Sequence, residues 1–146
     1  MAGNGADVPA DRLSLRVTNQ LSEIPRLAGL VLAFCAAQGL PEAVAFRFNL
    51  AFEEILTNTI KYGYDAAGPR EIAIELRREA GRVVAEVTDD ARPFDPTRAP
   101  PPDLDGTLEE RAIGGLGLYL ISQMLDEVAY RRDGAHNRLT LVKNLS

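Results

Sequence analysis

Glu54, Asn58 and Lys61 set a carboxylate, a carboxamide and an ammonium at intervals of four and three residues. At about 100° per helical residue, these three and Arg47 fall within roughly 40° of one line. The opposite side carries Val44, Phe48, Phe52, Ile55 and Thr59 at the spacings of a core-facing stripe. Carboxylate and amide oxygens suit a hard cation such as Mg²⁺, which keeps several waters and binds substrate phosphates. The same residues also describe a solvated helix face with i,i+4 pairs. Other motifs must decide between the two.

Two further stretches bear on the choice. The apolar run Val83–Val87 leads into Thr88, Asp89, Asp90, Ala91, Arg92, Pro93, Phe94, Asp95 and Pro96. An Asp at a strand end can accept a hydrogen bond from an exocyclic amine in an apolar pocket, which identifies adenine; an Asp pair there can equally be a turn. Gly114, Gly115, Leu116 and Gly117 then open a helical pattern. Glycines before a helix let backbone N–H groups approach phosphate oxygens, where the helix dipole favours negative charge. Alone, glycines after a long loop carry little information.

The elements that must position these residues follow from periodicity. Leu13, Leu15 and Val17 alternate with polar residues as in a half-buried strand. Ser22 is a candidate cap for a helix through Ile24, Leu27, Leu30, Val31, Phe34 and Cys35, closed by Gly39. Pro41 opens the next helix, which carries Glu54 and Asn58 and ends at Gly63. Strands are expected over Glu71–Arg77 and Arg82–Thr88, joined by a short hairpin, and over Glu127–Arg131 and Arg138–Lys143 around Asp133-Gly134. Between Asp89 and Arg111 five prolines interrupt any apolar periodicity, so that stretch reads as a lid or an insert. Residues 1–10 read as a disordered leader and 11–146 as one domain. Strands and helices come in runs rather than as alternating βαβ units. That order predicts an α+β fold, a mixed and mostly antiparallel sheet of about five strands covered on one face by three helices.

Composition narrows the function classes. The chain has 146 residues, 46% apolar and 25% charged, as in an ordinary globular protein. Its formal charge of −5, with no basic cluster, argues against nucleic acid as a partner. No apolar run approaches the ~20 residues that span a bilayer, and no signal peptide is evident. A cytoplasmic location is therefore expected. One cysteine and one histidine, Cys35 and His136, make a zinc site or a Cys-His pair a poor expectation. Cys35, among apolar neighbours, reads as a buried structural thiol. A Rossmann or P-loop motif is missing.

Taken in order, the three motifs resemble a known superfamily. Glu54-x-x-x-Asn58-x-x-Lys61 is similar to the N box, Asp89-x-Ala91-x-Pro93-Phe94-Asp95-Pro96 to the first glycine box, and Gly115-Leu116-Gly117-Leu118 to the second. These are the boxes of the Bergerat (GHKL) ATP-binding superfamily, which includes gyrase, Hsp90, histidine kinases and MutL. The Pro-Phe-Asp-Pro and Gly-Gly-Leu-Gly-Leu stretches resemble one branch, the anti-sigma-factor serine/threonine kinases of bacterial partner-switching systems. The resemblance covers about residues 12–144. It implies a two-layer sandwich with a Pro-rich ATP lid at about 95–113, and ATP and Mg²⁺ as cofactors. It implies Asn58 as the Mg²⁺ ligand and Glu54 as the general base toward a substrate hydroxyl. Lys61 would lie near the phosphates. Asp89 would accept the adenine amine with help from Thr140, and Gly114, Gly115, Leu116 and Gly117 would grip phosphate. Partners would be a STAS-domain anti-sigma antagonist, which is phosphorylated, and a sigma factor or other regulated protein, which is sequestered. A homodimer through the first strand and helix is common in that branch.

One position departs from the pattern: Ala91 stands where the first box normally has glycine, so a methyl group meets whatever space the nucleotide requires. The alternative function is accordingly a catalytically weak or inactive ATP-binding module that acts by sequestration alone. A histidine-kinase catalytic domain is disfavoured because no His-bearing helix pair precedes the domain. A gyrase- or MutL-type ATPase would need a transducer domain for which 146 residues leave no room.

Overall fold

A computed structural model of the chain describes residues 11–65, 68–98 and 115–145. Its elements run β1 (Arg12–Thr18), α1 (Glu23–Ala37), α2 (Glu42–Tyr62), β2 (Glu71–Glu79), β3 (Arg82–Asp89), α3 (Gly115–Met124), β4 (Glu127–Asp133) and β5 (His136–Asn144), with a 3₁₀ turn at Pro96–Arg98. The five strands form one sheet in the order β1-β2-β3-β5-β4, and all four pairings are antiparallel. This is the expected α+β architecture, with three helices on one face. The expected leader at 1–10 and residues 99–114, most of the expected lid, lie outside the described residues.

Alternation builds the core. Leu13, Leu15 and Val17 of β1, Ile72, Ile74 and Leu76 of β2, Val83, Ala85 and Val87 of β3, and Leu139 and Leu141 of β5 share one buried cluster. Leu27, Val31, Phe34 and Cys35 of α1, and Val44, Phe48, Phe52, Ile55 and Leu56 of α2, close it from the helix side. Phe48 and Phe52 lie one turn apart with ring centroids 6.1 Å apart, as a pair on one helix face must.

The helix ends explain how the chain turns. Gly39, at φ 70°, takes the left-handed conformation after α1, and Pro41 precedes α2. The expected cap at Ser22 is corrected: its side chain makes no capping bond. Instead, Glu23 reaches back and accepts from the Thr18 N–H and hydroxyl, both at 3.1 Å, tying the start of α1 to the end of β1. Gly63 follows α2 with an ordinary φ of −87°. It is glycine for lack of space: a Cβ there would stand 2.6 Å from the Thr59 carbonyl oxygen and 2.9 Å from Ala91 Cβ.

No helix among the described residues is long and apolar enough to cross a membrane. The helix-free face of the sheet carries charge, with Arg77 donating to Glu75, Glu79 and Glu86 at 3.0, 2.7 and 2.8 Å.

Candidate nucleotide site

The apolar ends of β3 and β5 stop beside the last two turns of α2 and leave a cavity of about 310 Å³. Ile55, Asn58, Thr59 and Tyr62 of α2 form one wall. Val87 and Asp89 of β3, Tyr130 of β4, and Asn137 and Leu139 of β5 form the floor, and Ala91 to Phe94 with Pro96 close a side. Such a mostly apolar hollow with a few convergent polar groups is how small ligands are held.

Asp89 is the charged group of the floor, and it is only 7% exposed. Its Oδ1 accepts from the Ala91 N–H at 3.0 Å and from Asn137 Nδ2 at 2.9 Å. Its Oδ2 accepts no hydrogen bond from the described residues. Burial raises the Asp89 pKa, and these two donors oppose that rise. A half-satisfied carboxylate at the base of an apolar cavity is matched to a ligand amine.

Asn58 lines the cavity. One turn back, Glu54 is half-buried outside the cavity wall and accepts from Asn58 Nδ2 at 3.4 Å. Burial holds the Glu54 carboxyl above its ordinary value; the Asn58 bond lowers it, and the neighbouring Glu53 charge raises it. Lys61 is exposed and does not line the cavity, because the wall turns from Asn58 and Thr59 toward Tyr62. Arg47, on the same helix line, is committed elsewhere and donates to the Met124 carbonyl at 3.0 Å, fastening α2 to the end of α3.

Ala91 fits its place. It is 4% exposed, with its methyl turned to the hollow that Gly63 leaves, and the Arg92 N–H donates to the Gly63 carbonyl at 2.8 Å. Gly115, Leu116 and Gly117 form the first turn of α3, as the glycine motif predicts, whereas Gly114 lies outside the described residues.

Thr140 requires a correction. Leu139 and Leu141 on either side of it face the helices, so Thr140 points to the opposite face, where it pairs with Glu86. The β5 residue that meets Asp89 is Asn137, directly across the ladder. The sequence reading missed Asn137, although counting back by twos from Leu141 and Leu139 puts it on the cavity side. Among the described residues no group of three His, Cys, Asp or Glu side chains could hold a metal. Asn58 suits a cation that takes one protein oxygen and completes its shell with water and phosphate.

Known proteins resemble the chain in sequence and in fold. A family profile described as the histidine kinase-like ATPase domain matches residues 17–143. The chain is 29% identical over 99 residues to the serine/threonine-protein kinase BtrW of Bordetella bronchiseptica, covering 68% of this chain and 70% of that one. It is 28% identical over 123 residues to the serine-protein kinase RsbW of Listeria monocytogenes, covering 77% of each. In fold it is similar to the crystal structure of the RsbU and RsbW domains of Rv1364c from Mycobacterium tuberculosis. That match has a TM-score of 0.63 at 16% identity and covers 94% of this chain and 33% of the other. With its cavity, its floor carboxylate and a matched span from 17 to 143, the chain belongs to the histidine kinase-like ATPase domain family.

Proposed function

We propose that the protein is an ATP-dependent serine/threonine kinase of a partner-switching system, which phosphorylates a STAS-domain anti-sigma antagonist and sequesters a sigma factor or similar target. The observation that carries this reading is the Glu54–Asn58 pair, one helical turn apart beside the Asp89 cavity. The names of its relatives BtrW and RsbW, both protein kinases, support it.

Each residue then has a task. Asp89 Oδ2 accepts the adenine amine, and Ile55, Val87 and Leu139 exclude water from the base. Asn58 would hold Mg²⁺ through its amide oxygen, and the ion would supply neutralisation of phosphate charge. Glu54, at the cavity edge, takes the proton from a seryl or threonyl hydroxyl of the partner as that oxygen bonds to the γ-phosphorus and ADP leaves. Glu54 is suited to this because burial raises its basicity. Gly115 to Gly117, at the start of α3, offer backbone N–H groups to phosphate.

Sequestration without turnover remains the alternative, motivated by Ala91. Its methyl lies against Gly63, an arrangement that supports nucleotide binding beside it. Mixing the protein with Mg-ATP and a STAS-domain partner tests the reading. The wild type should form phosphoserine or phosphothreonine, and Glu54→Gln should lose about 10²–10⁴-fold in rate while still binding nucleotide. Undiminished transfer by the variant, or none by the wild type, refutes it.

A further inference from the structure

We infer that Asn137 is a positioning residue for nucleotide selectivity: it holds the Asp89 carboxylate so that Oδ1 is occupied and Oδ2 is left to accept an exocyclic amine. The inference rests on the nucleotide reading above and deepens it.

Chemistry fixes the orientation of the Asn137 amide. Its Oδ1 receives the Tyr130 hydroxyl at 2.6 Å and Arg132 Nη1 at 3.1 Å, and a guanidinium can only donate. Its Nδ2 faces Asp89 Oδ1 at 2.9 Å and the carbonyls of Ala91 and Arg92 at 3.2 and 3.0 Å, all of which can only accept. Rotating the amide by half a turn would oppose donor to donor and acceptor to acceptor, so a single orientation is allowed. The same Arg132 also donates to the Ala91 carbonyl at 2.9 Å, so β4, β5 and the loop after β3 are pinned together.

The consequence falls on Asp89. Both side chains are 7% exposed, and a buried carboxylate free to rotate could present either oxygen, or protonate and donate instead. With Oδ1 taken by Asn137 and the Ala91 N–H, only Oδ2 is offered, and the two donors favour the ionised carboxylate, which accepts. An amine on the base satisfies it, whereas a carbonyl at the same position places oxygen against oxygen. Tyr130, whose ring lines the cavity, links this polarity filter to the edge strand.

The experiment is a titration of the full chain with Mg-ATP and with Mg-ITP, whose base carries a carbonyl where adenine carries the amine. The wild type should prefer ATP by roughly 10²-fold, and Asn137→Ala should reduce that preference about tenfold or more, through weaker ATP binding. Equal losses for both nucleotides, with the preference unchanged, mean a merely structural role and overturn the inference. If Asn137→Ala does not fold, Tyr130→Phe decides. It keeps Asn137 but removes one of the two donors to its Oδ1, and it should lower the preference about threefold; an unchanged preference overturns the inference. A wild type that binds ATP and ITP equally overturns the selectivity inference alone. A wild type that binds neither overturns the nucleotide reading with it.

Discussion

Burial acts on two carboxylates here, Glu54 and Asp89, and both are held above their ordinary pKa by it. A general base must be ionised, so transfer should fail as pH drops through the raised Glu54 pKa, at a higher pH than an exposed glutamate would show. The Glu53 charge contributes to that elevation. Glu53→Gln removes a like charge, makes the Glu54 proton easier to lose, and should move the acid limb of kcat/KM to lower pH. Because Glu53 is exposed, the displacement should be under about one pH unit. A pH–rate profile checks this, and an unmoved or upward-moved limb contradicts it. At this scale Asn58 and Asp89, which line the cavity, were legible from side-chain type and helix or strand position, and Glu54 stands one turn outside it. Lys61, expected near the phosphates, stands on the exposed side of α2 outside the cavity, because alignment on a helix line does not say where the neighbouring wall ends. Thr140 came from the resemblance alone, whereas strand parity selects Asn137.

The element that matters most is α2, and the structure shows what stops it. Its last turn is clamped to the loop after β3 by a contact without room for one more carbon at Gly63. Gly63→Ala should therefore cost about 2 kcal/mol or more in stability, measured by chemical denaturation. Gly29, inside α1 with open space around it, is the contrast: Gly29→Ala should stabilise by about 0.5–1 kcal/mol. Equal effects at the two positions would refute the steric account of Gly63. Periodicity gave the helices and strands almost to their ends, since burial on one face imposes it. The Gly63–Ala91 contact joins positions 28 residues apart across a fold, and no local pattern encodes such a meeting. Ser22 illustrates the converse: a favourable residue stood at the helix start, and a glutamate one position on found a better partner in Thr18.

At the scale of the whole molecule, one core unites both layers, and Cys35 lies inside it at 1% exposure. Burial pushes its thiol up to about 11, so no thiolate forms near neutrality. Reaction with a thiol reagent should therefore track global unfolding, and saturating Mg-ATP should slow it. At 100 times its Kd the ligand adds about 2.7 kcal/mol, roughly a 10²-fold smaller open population. Fast labelling of the native protein would contradict the packing described.

The Asp89–Asn137 pair lies directly across the β3–β5 ladder. If β5 slipped by one residue, Arg138 or His136 would stand opposite Asp89, and Leu139 and Leu141 would turn out of the core. The slipped sheet would have no amide to set the carboxylate and no cavity above it. Nucleotide bound there would act as a proofreader of strand pairing, stabilising only chains that have zipped in the correct frame.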